Sequence, residues 1–108
     1  MLDYNQRTML ITGTTQGIGY QLYQYFREKY RVMTVNRREF EGENFICNLE
    51  DIHAVCKLTE SLRKMKVDVL INNAGGASPV RFSDMQAEEL TACTNLNYHA
   101  PILLMQAV

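Results

Sequence analysis

Short apolar runs alternate along the chain with longer segments whose apolar residues recur every three or four positions. Runs of residues that favour a pleated surface predict four β-strands, at residues 9–11, 31–35, 44–47 and 67–71. The last of these runs is almost entirely apolar, which is typical of a strand covered on both faces.

Helical spacing between the strands predicts helices. The first runs from Ile18 to about residue 29. The apolar face of the second consists of Ile52, Val55, Leu58, Leu62 and Met65. Residues 85–108 are mostly helical in pattern, with Ser83 or Asp84 as the predicted cap. Pro101 predicts a kink or the early turn of a new helix near Asn97.

Strands that alternate with helices imply parallel β-α-β units joined by right-handed crossovers. In such sheets, ligands bind beyond the carboxyl ends of the strands. Three polar or glycine-rich segments, at residues 13–19, 36–38 and 72–76, each follow a predicted strand and therefore meet at that edge. The sequence thus predicts an α/β domain with a nucleotide-binding crevice.

The segment Thr12-Gly13-Thr14-Thr15-Gln16-Gly17-Ile18-Gly19 joins the first strand to the first helix. We expect Gly13 to take a backbone conformation closed to other residues, so that the chain leaves the strand sharply. Gly17 lets a pyrophosphate approach the backbone, and Gly19 lets the helix pack closely on the sheet. The free amides of the helix N-terminus favour an anion. Taken alone, the segment also fits a glycine-rich turn that binds nothing.

Three short motifs follow one another along the chain. Residues 12–19 have the pattern T-G-x-x-x-G-I-G, residues 72–75 read N-N-A-G, and Asn97 lies in the long helical segment that follows. In this order they resemble the short-chain dehydrogenase/reductase family. The resemblance implies a Rossmann-type doubly wound parallel sheet, here truncated after about four strands and the start of the long fourth helix. Residues 1–108 would then be the amino-terminal part of one NAD(P)-binding domain.

The resemblance also implies which residues hold the coenzyme. The pyrophosphate and nicotinamide ribose would be cradled by Gly13, Thr15, Gln16, Gly17, Ile18 and Gly19. Asn73, Ala74 and Gly75 would line the adenosine side and brace the sheet. Asn48 and Leu49 stand where the family often has Asp-Leu beside the adenine, and an amide can still hydrogen-bond the base.

The end of the second strand bears on the choice of coenzyme. NAD sites usually place an acidic residue there, which binds the ribose 2′-hydroxyl. This chain has Asn36, Arg37 and Arg38 instead, and guanidinium groups bind a 2′-phosphate through paired charged hydrogen bonds. We therefore expect NADP(H), with NAD as the alternative if the arginines are only solvated surface charge. Gln16 argues for that alternative, because many NADP-preferring relatives carry a basic residue there.

The family's chemistry rests on Tyr-x-x-x-Lys with a serine upstream, beyond the long helix. Asn97 matches a supporting member of the catalytic set. Tyr25 and Lys29 have the spacing, but they lie in the first predicted helix, away from the crevice. We expect an inactive fragment of a longer oxidoreductase, which transfers hydride between nicotinamide and a small carbonyl or alcohol substrate. A non-catalytic nucleotide-binding module, a sensor or scaffold, is the alternative.

Composition narrows the class of partner. The net charge of −1 gives no electrostatic reason to expect nucleic acid or a membrane. No apolar run approaches a membrane span, and residues 1–7 lack a signal-peptide core, so we expect a cytoplasmic protein.

Cys47, Cys56 and Cys93 lack metal-ligand spacing, and we expect buried free thiols and no metal site. A homo-oligomer is expected, because the family commonly pairs subunits through long helices.

Overall fold

The computed structural model describes residues 6–108. Residues 1–5, on which the signal-peptide prediction depends, lie outside the described residues. The strands and helices follow one another in the order that the sequence predicts. In chain order they are β1 (Thr8–Thr12), α1 (Gly17–Phe26), β2 (Arg31–Asn36), β3 (Glu43–Ile46), α2 (Ile52–Leu62), β4 (Val69–Ile71), a 3-10 turn (Phe82–Asp84), α3 (Ala87–Thr94), a π-helical turn (Asn95–His99) and α4 (Ala100–Ala107).

The four strands form one parallel sheet in the order β3-β2-β1-β4. Residues of β1 pair with β2 on one side, where Thr8 is opposite Arg31, and with β4 on the other, where Met9 is opposite Val69. The chain therefore builds outward from β1 in one direction and then returns to its other side. This reversal is the switch point at which doubly wound sheets bind ligands. The predicted α/β, Rossmann-type fold is confirmed.

Each face of the sheet carries its own apolar core, because side chains alternate along a strand. On one face, Leu10 packs in a cluster with α2 and α4, which contribute Leu62 and Leu104. On the other face, Met9 and Ile11 pack in a cluster that includes Tyr23 of α1. Helices thus cover both faces of the sheet and leave the carboxyl ends of its strands open.

Several predicted boundaries are wrong. α1 ends at Phe26 rather than near residue 29, and α2 ends at Leu62, before Met65. β4 begins at Val69 rather than at residue 67, and the carboxylate of Asp68 accepts a hydrogen bond from the backbone N–H of Thr8. The predicted cap residues Ser83 and Asp84 lie in the 3-10 turn instead, and α3 begins at Ala87 without a side-chain cap.

The predicted break near Pro101 is a π-helical turn inside one continuous run of helix. The N–H of Ala100 donates to the carbonyl of Asn95, five residues earlier. Pro101 lies in the first turn of α4 and has no N–H to give to the carbonyl of Asn97, four residues before it. Because that α-helical bond is missing, the wider turn is locally tolerated.

Two further expectations concern surfaces. Among residues 6–108, the structure contains no helix with the length and apolar character that crossing a bilayer demands. Cys47 is buried, as predicted for a free thiol, whereas Cys93 is partly exposed. Cys56 lies on the solvent side of α2 and is exposed, so the prediction of buried thiols is wrong there.

Candidate functional site

A crevice opens at the carboxyl ends of the strands, where the sheet reverses direction. Its volume is about 470 Å³, within the usual range for small-molecule sites. The structure brings together there the three polar segments that the sequence singled out. The lining residues are Gly13, Thr15, Gln16, Gly17, Val35, Asn36, Arg37, Arg38, Cys47, Asn48, Leu49, Glu50, Asn73, Ala74, Gly75 and Leu96.

Two glycines shape the turn between β1 and α1. Gly13 has φ +73°, and its N–H donates to the carbonyl of Val35 at 2.9 Å. A Cβ at Gly13 would lie 3.0 Å from the Cα of Ala74. Gly17 has φ +61°, and no atom of the described residues lies within 4 Å of the place where its Cβ would be. Gly13 therefore packs against the chain, whereas Gly17 presents bare backbone to open space.

The N-terminus of α1 faces the crevice without a capping side chain. Gln16 occupies the cap position and makes no side-chain hydrogen bond to the first turn. The other long helix of the sheet differs, because Asp51 caps α2 by accepting hydrogen bonds from the amides of His53 and Ala54. The free amides and the dipole of α1 therefore remain available to an anion.

Gly19 has a packing role rather than a lining role. It is buried, and a Cβ there would overlap the carbonyl oxygen of Gly13 and lie 2.5 Å from Nδ2 of Asn73. That amide donates to the same Gly13 carbonyl at 2.8 Å. Gly19 thus allows α1 to approach the turn, while Ile18 beside it is 73% exposed and does not line the crevice.

Thr12 is a site residue that the sequence analysis did not single out. Its hydroxyl oxygen accepts hydrogen bonds from the amides of Asn73 at 3.1 Å and Ala74 at 2.9 Å. It therefore ties the end of β1 to the segment after β4 and fixes that wall of the crevice. Its position directly before Gly13 was the available signal.

Asn36 forms part of the crevice wall, but its amide is occupied within the protein. The residue is 5% exposed and is the last residue of β2. Its Oδ1 accepts from the amide of Thr14 at 2.8 Å, and its Nδ2 donates to the Thr14 hydroxyl at 2.8 Å. The Asn36 side chain therefore holds the glycine-rich turn against β2, and its predicted place at the coenzyme site is in the crevice wall.

Arg37 and Arg38 lie beside Asn36 on the exposed rim of the crevice. In the part of the chain that the structure describes, ion pairs form between Arg27 and Glu41, Arg31 and Glu43, and Lys66 and Asp68, and none involves these two arginines. Within residues 6–108, the rim therefore carries two guanidinium groups that form no ion pair with a carboxylate.

The segment after β3 forms the wall opposite the glycine-rich turn. Oδ1 of Asn48 accepts from the amide of Glu50 at 3.0 Å, and Leu49 is 6% exposed. The preceding thiol of Cys47 is buried, and burial, with a further contribution from the negative charge of Asp51, raises its pKa. Cys47 is therefore a neutral thiol at physiological pH and adds apolar character to this wall.

Asn97 connects the long helical run to the segment after β4. Its Oδ1 accepts from the amide of Gly76 at 3.0 Å, and its Nδ2 donates to the carbonyl of Gly76 at 2.7 Å. Tyr25 and Lys29 do not line the crevice, and the Lys29 ammonium lies 4.9 Å from the centre of the Tyr25 ring. The structure thus brings Asn97 close to the crevice and leaves Tyr25 of α1 and Lys29, which follows α1, outside it.

Comparisons with known proteins place this geometry in a family. The chain is 30% identical to protein FixR of Bradyrhizobium diazoefficiens, over 94% of this chain and 44% of FixR. It is 30% identical to the benzil reductase ((S)-benzoin forming) of Bacillus cereus, over 91% of this chain and 47% of the reductase. A short-chain dehydrogenase from Sphingobium yanoikuyae, solved with NADPH, superposes with a TM-score of 0.83 at 26% identity.

That superposition covers 94% of this chain and 47% of the Sphingobium chain. The chain thus spans about half the length of the relatives that it matches. The family model described as short chain dehydrogenase matches residues 7–108, which is nearly the whole chain. The chain therefore belongs to the short-chain dehydrogenase family.

Proposed function

We propose that this chain binds NADP(H) and forms the coenzyme-binding part of an oxidoreductase. The observation that carries the proposal is the N-terminus of α1, which has no capping side chain and begins at Gly17, whose backbone is bare toward the crevice. This arrangement suits a diphosphate, because partnerless amides and a helix dipole both favour negative charge.

The residues around the crevice fit the parts of a dinucleotide. A pyrophosphate suits the amides after Gly17, and an adenine suits the wall that contains Asn48 and Leu49, where Nδ2 of Asn48 is an available donor. The two rim arginines suit a 2′-phosphate, which a carboxylate at this place would repel. The preference for NADP(H) over NAD(H) rests on this charge.

The proposed reaction moves a hydride between the nicotinamide and a small carbonyl or alcohol substrate. The bound coenzyme supplies the hydride chemistry, and the protein supplies binding and orientation. Thr12 and Asn97 would act by holding the segment after β4 in place beside the crevice. The benzil reductase relative supports a carbonyl substrate for the whole protein.

Titration calorimetry with NADPH and NADH tests the coenzyme assignment. We expect NADPH to bind more tightly, and Arg37→Ala and Arg38→Ala each to weaken NADPH binding by about tenfold, the worth of one charge-assisted hydrogen bond. NADH binding should not change. Arg63→Ala is the matched control, because Arg63 is exposed at the end of α2 and outside the crevice. Equal affinities of the unaltered chain for both coenzymes would refute the NADP(H) preference.

A second observation distinguishes an oxidoreductase from a non-catalytic sensor or scaffold. The gene sequence beyond codon 108 is the direct observation, because the family's serine and Tyr-x-x-x-Lys lie after the long helix. Continuation into these residues supports the enzyme, and their replacement supports the non-catalytic module. We expect negligible reductase turnover from the 108 residues themselves.

We also propose that residues 1–108, folded on their own, self-associate. Among the described residues, β4 pairs only with β1, so its outer edge is free to pair. The long helical run adds exposed apolar area at Tyr98 and Met105. Sedimentation velocity over a concentration series should show a species larger than a monomer, and a concentration-independent monomer would contradict this.

A further inference from the structure

A hydrogen-bonded network of side chains lies between the glycine-rich turn and the arginine rim. Asn36 is at its centre and bonds the Thr14 hydroxyl on one side, as described above. On the other side its Nδ2 donates to Oδ1 of Asn44 at 2.9 Å, and the Thr34 hydroxyl donates to the same oxygen at 2.9 Å. Within the described residues, no buried side-chain polar atom is left without a partner. The network is therefore fully satisfied and has a defined geometry.

Asn44 extends this network to the rim. It lies on β3 opposite Thr34, so its side chain reaches across to the same face of β2. Its Nδ2 donates to the carbonyl of Arg38 at 3.1 Å. Among residues 6–108, no other side chain hydrogen-bonds the backbone of Arg37 or Arg38. Asn44 is thus the side chain that ties the arginine turn to the sheet.

The rest of the turn is anchored elsewhere. Phe40 packs edge-on against the ring of Tyr23 at 4.9 Å between centroids, and Glu41 pairs with Arg27. These contacts attach Phe40 to α1 and Glu41 to the residue that directly follows α1. Without the bond from Asn44, the two arginines would be fixed only by β2 before them and by Phe40 after them.

We propose that Asn44 is a positioning residue for recognition of the 2′-phosphate of NADP(H). This inference rests on the proposed function. Asn44 does not line the crevice, so it acts through the backbone of Arg38. Holding that backbone in place reduces the conformational entropy that the guanidinium groups lose when they bind a phosphate. Asn44 therefore sets the selectivity for a 2′-phosphate. The rest of the coenzyme site depends less on Asn44, because Asn36 keeps its two bonds to Thr14 without it.

The test compares two probes that differ only in the group of interest: adenosine 2′,5′-bisphosphate and 5′-AMP. We expect Asn44→Ala to weaken binding of the bisphosphate by about fivefold to tenfold, up to the worth of one charge-assisted hydrogen bond. Binding of 5′-AMP should be unchanged, which also shows that the variant is folded. Glu43→Gln is the matched control, because it loosens the neighbouring residue of β3 and its ion pair with Arg31 without touching the rim.

A double-mutant cycle identifies the route of the effect. If Asn44 acts through the arginines, Asn44→Ala should cause no further loss of bisphosphate binding in a chain that already carries Arg37→Ala and Arg38→Ala. Equal weakening of both probes by Asn44→Ala, or no weakening of either, would overturn the inference about Asn44 alone. An unaltered chain that binds both probes equally would instead overturn the proposed NADP(H) preference.

Discussion

Replacing either of two glycines in one turn by alanine should act mainly on stability at Gly19 and mainly on coenzyme binding at Gly17. Gly19→Ala places a methyl group on the carbonyl oxygen of Gly13 and 2.5 Å from Nδ2 of Asn73. The obstructing oxygen is backbone, so α1 or the turn has to move. We expect a cost of about 3 kcal/mol, at the upper end for overpacking. For a domain of this size, such a loss lowers the melting temperature by about 12 °C or more.

The methyl group of Gly17→Ala meets no atom of residues 6–108 within 4 Å, so the cost comes from the left-handed backbone at φ +61°. That conformation costs an alanine about 1–2 kcal/mol, which corresponds to a fall of about 4–16 °C in melting temperature. The new methyl group occupies the space beside the α1 amides, where we expect the diphosphate. Binding of NADPH should therefore weaken by at least about tenfold, the loss of one charge-assisted hydrogen bond.

Thermal unfolding by circular dichroism and calorimetric titration of NADPH, at a temperature where both variants are folded, separate the two effects. We expect Gly19→Ala to lower the melting temperature more than Gly17→Ala does. We expect Gly17→Ala to weaken NADPH binding more, relative to the stability that it loses. NADPH binding that is unaffected by Gly17→Ala would refute the assignment of the diphosphate to this turn. A Gly19→Ala variant as stable as the unaltered chain would refute the proposed close packing.

The remaining predictions concern stability and thiol access. Thr12→Val removes the acceptor of the Ala74 amide and should cost about 1–3 kcal/mol in urea unfolding. Glu43→Gln should cost at most about 1 kcal/mol at neutral pH, because its ion pair is half exposed and screened by solvent. Arg31 lowers the pKa of Glu43, so this difference is present above the ordinary carboxyl range and disappears as the pH falls through the lowered pKa. Exposed Cys56 should react with iodoacetamide in the native protein, and buried Cys47, whose pKa is raised, only after unfolding.

Each of these has a contradicting result. A Thr12→Val variant of unchanged stability would show that the threonine hydroxyl does not tie the two strand ends. A Glu43→Gln difference that grows on acidification would reverse the inferred sign of the linkage. Labelling of Cys47 at the rate of Cys56 in the native protein would contradict its burial.

The sequence predicted those features that depend on local pattern. The glycine spacing of residues 12–19 predicted the turn, and alternating strands and helices predicted the parallel sheet and its open edge. The role of Asn36 was not predictable in this way. The pairing of β1 with β2 brings Thr14 to Asn36, and the pairing of β2 with β3 brings Asn44, and no local pattern specifies either register.

The helical run at the end of the chain shows a second limit. Proline at residue 101 signalled a disturbance, but the choice between a kink and a π-helical turn depends on packing against α2. Likewise, the caps predicted at Ser83 and Asp84 are common cap residues, yet the chain places them in a separate 3-10 turn. Composition indicates that a helix begins nearby without fixing which residue begins it.

The π-helical turn at Asn95–His99 sets the angular offset between two faces of the same helical run. Within the turn, the side chain of Asn97 faces Gly76. After the turn, Ala100, Leu104 and Ala107 face the core. In an α-helix, inserting or deleting one residue rotates everything downstream by about 100°. A π-helical turn holds one residue more than an α-helical turn, so forming or removing it accommodates an insertion or deletion of one residue without that rotation. This run can therefore gain or lose a residue in evolution while Asn97 and Leu104 both keep their neighbours.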